Sequence, residues 1–290
     1  MYPAPSIIVF TTLSGLGFGL LAFLGAGVIL PTGLAAFVWF ALGYALALVG
    51  LVASAFHLGH PERALRAFTQ WRTSWLSREA VLSTLALLAI APHAAGLVFW
   101  ATPVPVAGAI GAALCLVTVF ATSMIYAQLK TVPRWNHWST PVLFLLAALT
   151  GGALLTGSGY TAQMLLAWLA VAMVLHWLIG DGQFARRGTT LGTATGLGPL
   201  GRVRQLEPPH TGGNYLLKEM AYVVARRHSR VLRVIALTLA CVLPSILLWT
   251  APYSLPALAL AVVLHLAGMV TQRWLFFAEA EHTVALYYRG

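Results

Sequence analysis

Four long stretches of this chain carry no charged side chain: residues 1–61, 80–129, 135–180 and 234–272. A membrane-spanning helix needs about 20 mostly apolar residues, so each stretch has room for two. Each is also broken near its middle, by Pro31-Thr32-Gly33, Thr102-Pro103-Val104-Pro105, Thr156-Gly157-Ser158-Gly159 and Ala251-Pro252-Tyr253-Ser254-Leu255-Pro256. The pattern predicts an all-α integral membrane protein of eight transmembrane helices in four hairpins. The spans fall at roughly 6–30, 34–56, 79–101, 105–129, 139–157, 160–180, 233–251 and 255–278, with boundary errors of about 2–4 residues. Gly15, Gly17, Gly19, Gly25 and Gly27 let the first span pack closely against its neighbours.

The polar positions add sidedness. The 17 Lys and Arg and 7 Asp and Glu lie between hairpins, so four returns bring every charged loop to one face. Basic loops stay in the cytoplasm, which predicts a multi-pass inner (plasma) membrane protein with both termini cytoplasmic. A single membrane domain, residues 1–290, is expected, with its largest cytoplasmic loop at 181–232. The first basic residue is Arg63, so the N-terminal apolar run lacks the basic n-region of a cleaved signal. With 59% hydrophobic and 8% charged residues, the composition excludes an ordinary soluble domain, where charged residues approach about a quarter. The net charge of +10 attracts anionic lipid to the charged face; no nucleic-acid partner is expected. Cys115 and Cys241 fall inside spans and read as small core residues. Loops 58–78, 130–138 and 181–232 form a platform on which a soluble partner can dock, with Arg202, Arg204, Arg226, Arg227 and Arg230 available to an acidic surface and a short helix expected around Tyr215–Arg227.

The loop joining the second and third spans is richest in chemistry. It begins His57-Leu58-Gly59-His60-Pro61-Glu62-Arg63 and ends Gln70-Trp71-Arg72-Thr73-Ser74-Trp75-Leu76-Ser77-Arg78-Glu79. Between them, Arg63 and Arg66 can face away from Leu65 and Phe68 on a short interfacial helix. A histidine leaves one span and a carboxylate enters the next. Imidazole changes charge near neutral pH and a carboxylate accepts protons, so His57 and Glu79 at membrane depth suit a quinol, which releases two electrons and two protons. A plainer reading stands beside this one. Glu79 could complement a helix dipole, Ser74 or Ser77 could be an N-cap, and Trp71 and Trp75 could be belt aromatics. His93, His176 and His265 lie within spans; bis-His haem ligation needs two at matched depth, which these do not offer, and interhelical hydrogen bonds account for them. Apart from Glu79 and Arg273 near span ends, no charge enters the membrane, so a relay across its full thickness is not expected. The sequence has no Walker, CxxC or HExxH motif.

These residues resemble the membrane anchor subunit of the anaerobic dimethyl sulfoxide reductase family. The likeness rests on the His57–Pro61 and Gln70–Glu79 runs and on Ser123-Met124-Ile125-Tyr126 with Trp135 and Pro141, and it extends along the whole chain. The resemblance implies eight spans, no haem or metal in this chain, a bound quinone (ubiquinone or menaquinone), and partners carrying iron–sulfur clusters and molybdopterin: a ferredoxin-like subunit and a catalytic subunit on the cytoplasmic face. It places the quinone-site His and Glu at His57 and Glu79. Around them, Arg78, Arg72 and His60 would tune the carboxylate, Ser123 and Tyr126 would line the pocket, and Trp71 and Trp75 would wall it from lipid. The segment Leu206-Glu207-Pro208-Pro209-His210-Thr211-Gly212-Gly213-Asn214-Tyr215 looks like a branch that includes anchors of sulfite-oxidising quinone reductases. Two alternatives are a purely structural anchor and an eight-helix transporter.

Overall fold

The computed structural model describes residues 1–56, 61–207, 212 and 228–287. Among them, eight long helices carry the fold: α1 (Pro5–Gly25), α2 (Gly33–Ala55), α3 (Trp75–Trp100), α4 (Pro105–Ala127), α5 (Ser139–Leu155), α6 (Gly159–Arg187), α7 (Ser229–Thr250) and α8 (Leu255–Ala278). Seven are long and apolar enough to cross a membrane; α5, with 17 residues, is shorter and stands at the low end of the usual range of roughly 17–25. No strand occurs among the described residues.

Three boundaries differ from the sequence pattern, each for a local reason. The first helix ends at Gly25, because Gly27 turns the chain with a φ of 71°. At the start of α3, Ser74 caps the helix by accepting the Ser77 N–H at 3.5 Å, so the helix begins at Trp75 rather than at 79. The last change is in α6, which continues past its apolar stretch to Arg187 until Gly188, at φ 60°, closes it. A 3₁₀ segment, Pro61–Phe68, lies between α2 and α3. The expected helix around Tyr215–Arg227, with Arg226 and Arg227, lies outside the described residues.

α1 is the hub, packing against α2, α4, α5 and α8. Its glycines divide the work that the sequence assigned to them jointly. A Cβ on Gly19 would stand 1.9 Å from the Ala148 carbonyl oxygen of α5, and one on Gly17 would stand 2.3 Å from Ala47 N of α2. Those two positions hold backbones in direct contact. Gly15 meets nothing within 4 Å and instead borders internal space.

In α7, a π-helical turn at Thr238–Val242 accompanies a hydrogen bond across to α8, from His265 Nδ1 to the Ala240 carbonyl at 2.7 Å. The other two intramembrane histidines are also held locally. His176 Nδ1 lies 2.9 Å from Ser139 Oγ, and His93 Nδ1 lies 3.2 Å from the Val104 amide that donates to it. Cys115 and Cys241 are buried and free.

At the charged end, Arg134 bridges Asp181 (3.0 Å) and Glu279 (2.6 Å), while Arg233 reaches the same two carboxylates at 2.6 and 2.7 Å. This cluster joins the α4–α5 connection to α6, α7 and the end of α8. The Met1 ammonium donates to the Ala280 carbonyl at 2.6 Å, so the start of the chain lies beside the end of α8.

Candidate functional site

The local capping of α3 decides where Glu79 sits. Because the helix starts at Trp75, Glu79 falls beyond its first turn and outside the set of residues best placed to answer the helix dipole. It is buried, 3% exposed, and Thr122 Oγ1 of α4 donates a hydrogen bond to its Oε1. Thr122 has a second acceptor, the Thr118 carbonyl at 3.0 Å. One hydroxyl therefore serves both protonation states. It donates to the carboxylate when Glu79 is charged; when Glu79 is protonated it can accept from the carboxyl and turn its own proton to Thr118.

Glu79 borders a cavity of about 290 Å³ between α1, α2, α3, α4 and the 3₁₀ segment. Phe10, Leu51, Phe68, Leu76 and Ile125 supply much of its apolar wall, and Ser54, Glu79, Ser83, Thr84 and Tyr126 its polar points. This mix, apolar with a few polar groups, is the usual character of a small-molecule site, and the volume is close to the lower bound of roughly 300 Å³ for such sites. Ser54, Ser83 and Thr84 donate to helix carbonyls at 2.6, 3.0 and 2.9 Å, which leaves their lone pairs for an occupant. Tyr126 is fixed by an aromatic cage of Trp135, Phe144, Phe276 and Phe277, with ring centroids at 5.4–5.8 Å. Trp135 is itself pinned by donating to the Phe276 carbonyl at 2.8 Å.

Of the residues expected at the site, Glu79 and Tyr126 line this cavity. His57 and His60 lie outside the described residues. The remaining five are elsewhere. Arg78 donates to the Trp71 and Arg72 carbonyls at 3.0 and 2.7 Å and its guanidinium lies 4.3 Å from the Trp75 ring centroid. It organises the entry to α3. Trp71 is exposed, with the Arg72 guanidinium 5.6 Å from its ring centroid, and Trp75 packs edge-on against Phe120. Ser123 is buried and donates to the Phe120 carbonyl at 2.6 Å. Sequence reasoning missed Thr122, Ser83, Ser54 and the contribution of α1 through Phe10. Thr122 had a visible signal, as a polar residue one turn after Thr118 in an apolar span, but many such hydroxyls only satisfy their own helix.

Arg273 of α8 is the other buried ion near this region. It is 2% exposed, its Cζ stands 3.7 Å from the Phe144 ring centroid, and its Nε and Nη1 have no hydrogen-bond partner. Among the described residues, no three His, Cys, Asp or Glu side chains gather where they could hold a metal ion.

Comparison with known proteins agrees with this architecture. The family described as DMSO reductase anchor subunit (DmsC) matches residues 2–278. A curated relative, one of the subunits of the sulfite dehydrogenase of Allochromatium vinosum, is 31% identical over 328 aligned positions, covering 100% of this chain and 99% of its own. No solved structure matches the chain.

Proposed function

The chain belongs to the DMSO reductase anchor-subunit family, and from that premise we propose that it binds a membrane quinone in the cavity beside Glu79. There it passes electrons between the quinone pool and an iron–sulfur subunit docked at the charged end of the bundle. The observation that carries this reading is the cavity itself: apolar, of headgroup scale, with a buried carboxyl and several hydroxyls on its wall. Phe10, Phe68, Leu76 and Ile125 would hold the ring, and Glu79 with the hydroxyls of Ser54, Ser83 or Thr84 would answer its oxygens. Reduction of a bound quinone consumes two electrons and two protons. Glu79 hands a proton to the quinone oxygen and recovers one from the same side, while Thr122 stabilises both states of the carboxyl. His57 is the expected partner of the second oxygen.

We take sulfite as the substrate of the complex, oxidised on a molybdopterin subunit in the cytoplasm, with electrons flowing to quinone. The name of the relative and the Leu206–Tyr215 segment support this over reduction of a sulfoxide. Eight crossings with both termini cytoplasmic complete the proposal. The Met1–Ala280 contact supports an even number, and the basic loops support the sidedness. With proton exchange and electron entry on one face, turnover moves no charge across the membrane.

A photoreactive quinone analogue in membranes carrying the assembled complex tests the site. Labelling on peptides containing Phe68, residues 76–84 or Tyr126, and competed by quinone, is the expected result. Competed labelling confined to α7 and α8 would move the site to the other side of the bundle.

A further inference from the structure

Arg273 borders a small void of about 10 Å³, lined also by Thr11, Ser14, Gly15, Val119, Thr122 and Phe144. That is the room one water needs, roughly 10–15 Å³. A buried water also needs two to four polar partners, and the lining supplies them. Ser14 and Thr11 spend their protons on the Phe10 and Ile7 carbonyls, at 2.6 and 2.9 Å, so their oxygens are left as acceptors. Thr122, when it donates to Glu79, is likewise an acceptor on its other side. The one donor in the set is Arg273, whose Nε and Nη1 are buried and unpartnered. A desolvated guanidinium without a hydrogen bond is costly unless something answers it, and intramembrane ions of this kind mark function.

We propose that one ordered water fills this void, accepting from Arg273 and donating to Thr122, and that through it Arg273 acts as the positioning residue for the Glu79 carboxyl. Every hydrogen bond in the chain Arg273 → water → Thr122 → Glu79 then points towards the carboxylate. The cation and the aligned dipoles favour release of the Glu79 proton to whatever occupies the cavity. Arg273 itself touches neither the cavity nor its occupant. A second void, of about 20 Å³, is also bordered by Arg273, together with Thr12 and His265, and the Thr12 hydroxyl has no hydrogen-bond partner.

Among the described residues, the polar and titratable groups that border the cavity or the void beside it are few. α4 contributes Thr122 and Tyr126, α2 contributes Ser54, and α3 contributes Ser83. From α8 comes Arg273, which borders the void that Thr122 also lines; the 3₁₀ segment faces the cavity with Ala67 and Phe68. Arg273 is the only guanidinium among them.

This inference rests on the proposed proton role of Glu79, and the test separates the two. The full-length chain in the assembled complex is compared as wild type, Arg273→Gln, Arg273→Lys and Thr122→Val. Two readouts are followed: the infrared band of a protonated carboxyl, identified as the one that Glu79→Gln removes, and the pH profile of quinone-coupled turnover. Arg273→Gln should move both the band and the Glu79-dependent limb of the profile to higher pH by about one unit or more. Arg273→Lys should restore most of the shift. Adding Arg273→Gln to Thr122→Val should shift the band by less than the two changes summed, because they interrupt one chain. If Arg273→Gln fails to assemble, Gly15→Ala is used instead; its new methyl meets nothing within 4 Å and intrudes on the water's space, so it should shift the band in the same direction. A band that titrates as in wild type in Arg273→Gln, or in Gly15→Ala where that variant replaces it, overturns the inference. A shifted band in a complex whose quinone kinetics ignore Glu79→Gln would sustain the inference and sink the proposed function.

Discussion

Two groups of charges lie near the charged end of this bundle, and they are satisfied in opposite ways. Arg134, Asp181, Arg233 and Glu279 form a closed network in which each carboxylate meets two guanidinium groups. Glu79 and Arg273 are more deeply buried, yet among the described residues neither has an ionic partner in contact. One receives a single hydroxyl and the other faces an aromatic ring. A paired network holds elements together and has little freedom to change its protonation. An unpaired buried carboxyl costs stability but is free to gain and lose a proton, and it borders the cavity. On the proposed reading, the contrast separates structural charge from working charge.

The same chemical change made at both places gives the sharpest test. Glu79→Gln should lower quinone-coupled turnover by ~10²–10⁴-fold, the usual contribution of a positioned acid or base, while activity towards an artificial dye and the yield of assembled complex stay normal. Glu279→Gln should do the reverse. It replaces one oxygen that accepts from a guanidinium with an amide that cannot, in a side chain only 4% exposed, and should cost about 1.5–3 kcal/mol with unchanged turnover per assembled complex. Thermal unfolding in detergent and steady-state kinetics together check both. Equal losses of turnover in the two variants would erase the distinction.

Packing around α1 offers a second comparison. Gly19→Ala drives a methyl into the Ala148 carbonyl, which is backbone and cannot rotate away; forcing α1 from α5 should cost roughly 1–3 kcal/mol or more and lower the melting temperature. Gly15→Ala, one helical turn earlier, meets no atom within 4 Å and should lower melting much less than Gly19→Ala, the gain in helix propensity offsetting part of the loss of the displaced water. Equal melting of the two variants would mean that α1 and α5 are not in backbone contact.

How far the sequence alone reached follows the same division. Charge-free blocks and their breakers located all eight helices, because membrane insertion depends on hydropathy summed over some 20 residues and tolerates local error. Glu79 and Tyr126 were named from their place at span ends and from the family likeness, and both line the cavity. Trp71, Arg72, Trp75 and Arg78, also named from the sequence, do not line it. Arg78 instead satisfies the Trp71 and Arg72 carbonyls, a local duty of a loop that sequence cannot tell from a ligand contact. Phe10 and Thr122 were missed because a side chain's facing around a fully apolar helix is set by packing, not by its own pattern. Arg273 stood out as a charge inside a span, but its relation to Thr122 depends on how α8 packs against α1 and α4.

The smallest effect expected concerns the exposed charges, which contrast with both buried groups. Arg202 and Arg204 are both exposed in the 181–232 loop. Charges at an interface rim act mainly on association rate and on its salt dependence. Reversing both, Arg202→Glu with Arg204→Glu, should slow capture of the iron–sulfur subunit by a few-fold at low salt. The difference should fade as ionic strength rises towards 1 M, where the screening length falls to about 3 Å. Co-purification yield across a salt series reads this directly. If the yield matches wild type at every salt concentration, these arginines serve membrane orientation and not docking. The buried Arg134–Glu279 pairs should show no such dependence, since salt screens buried pairs much less.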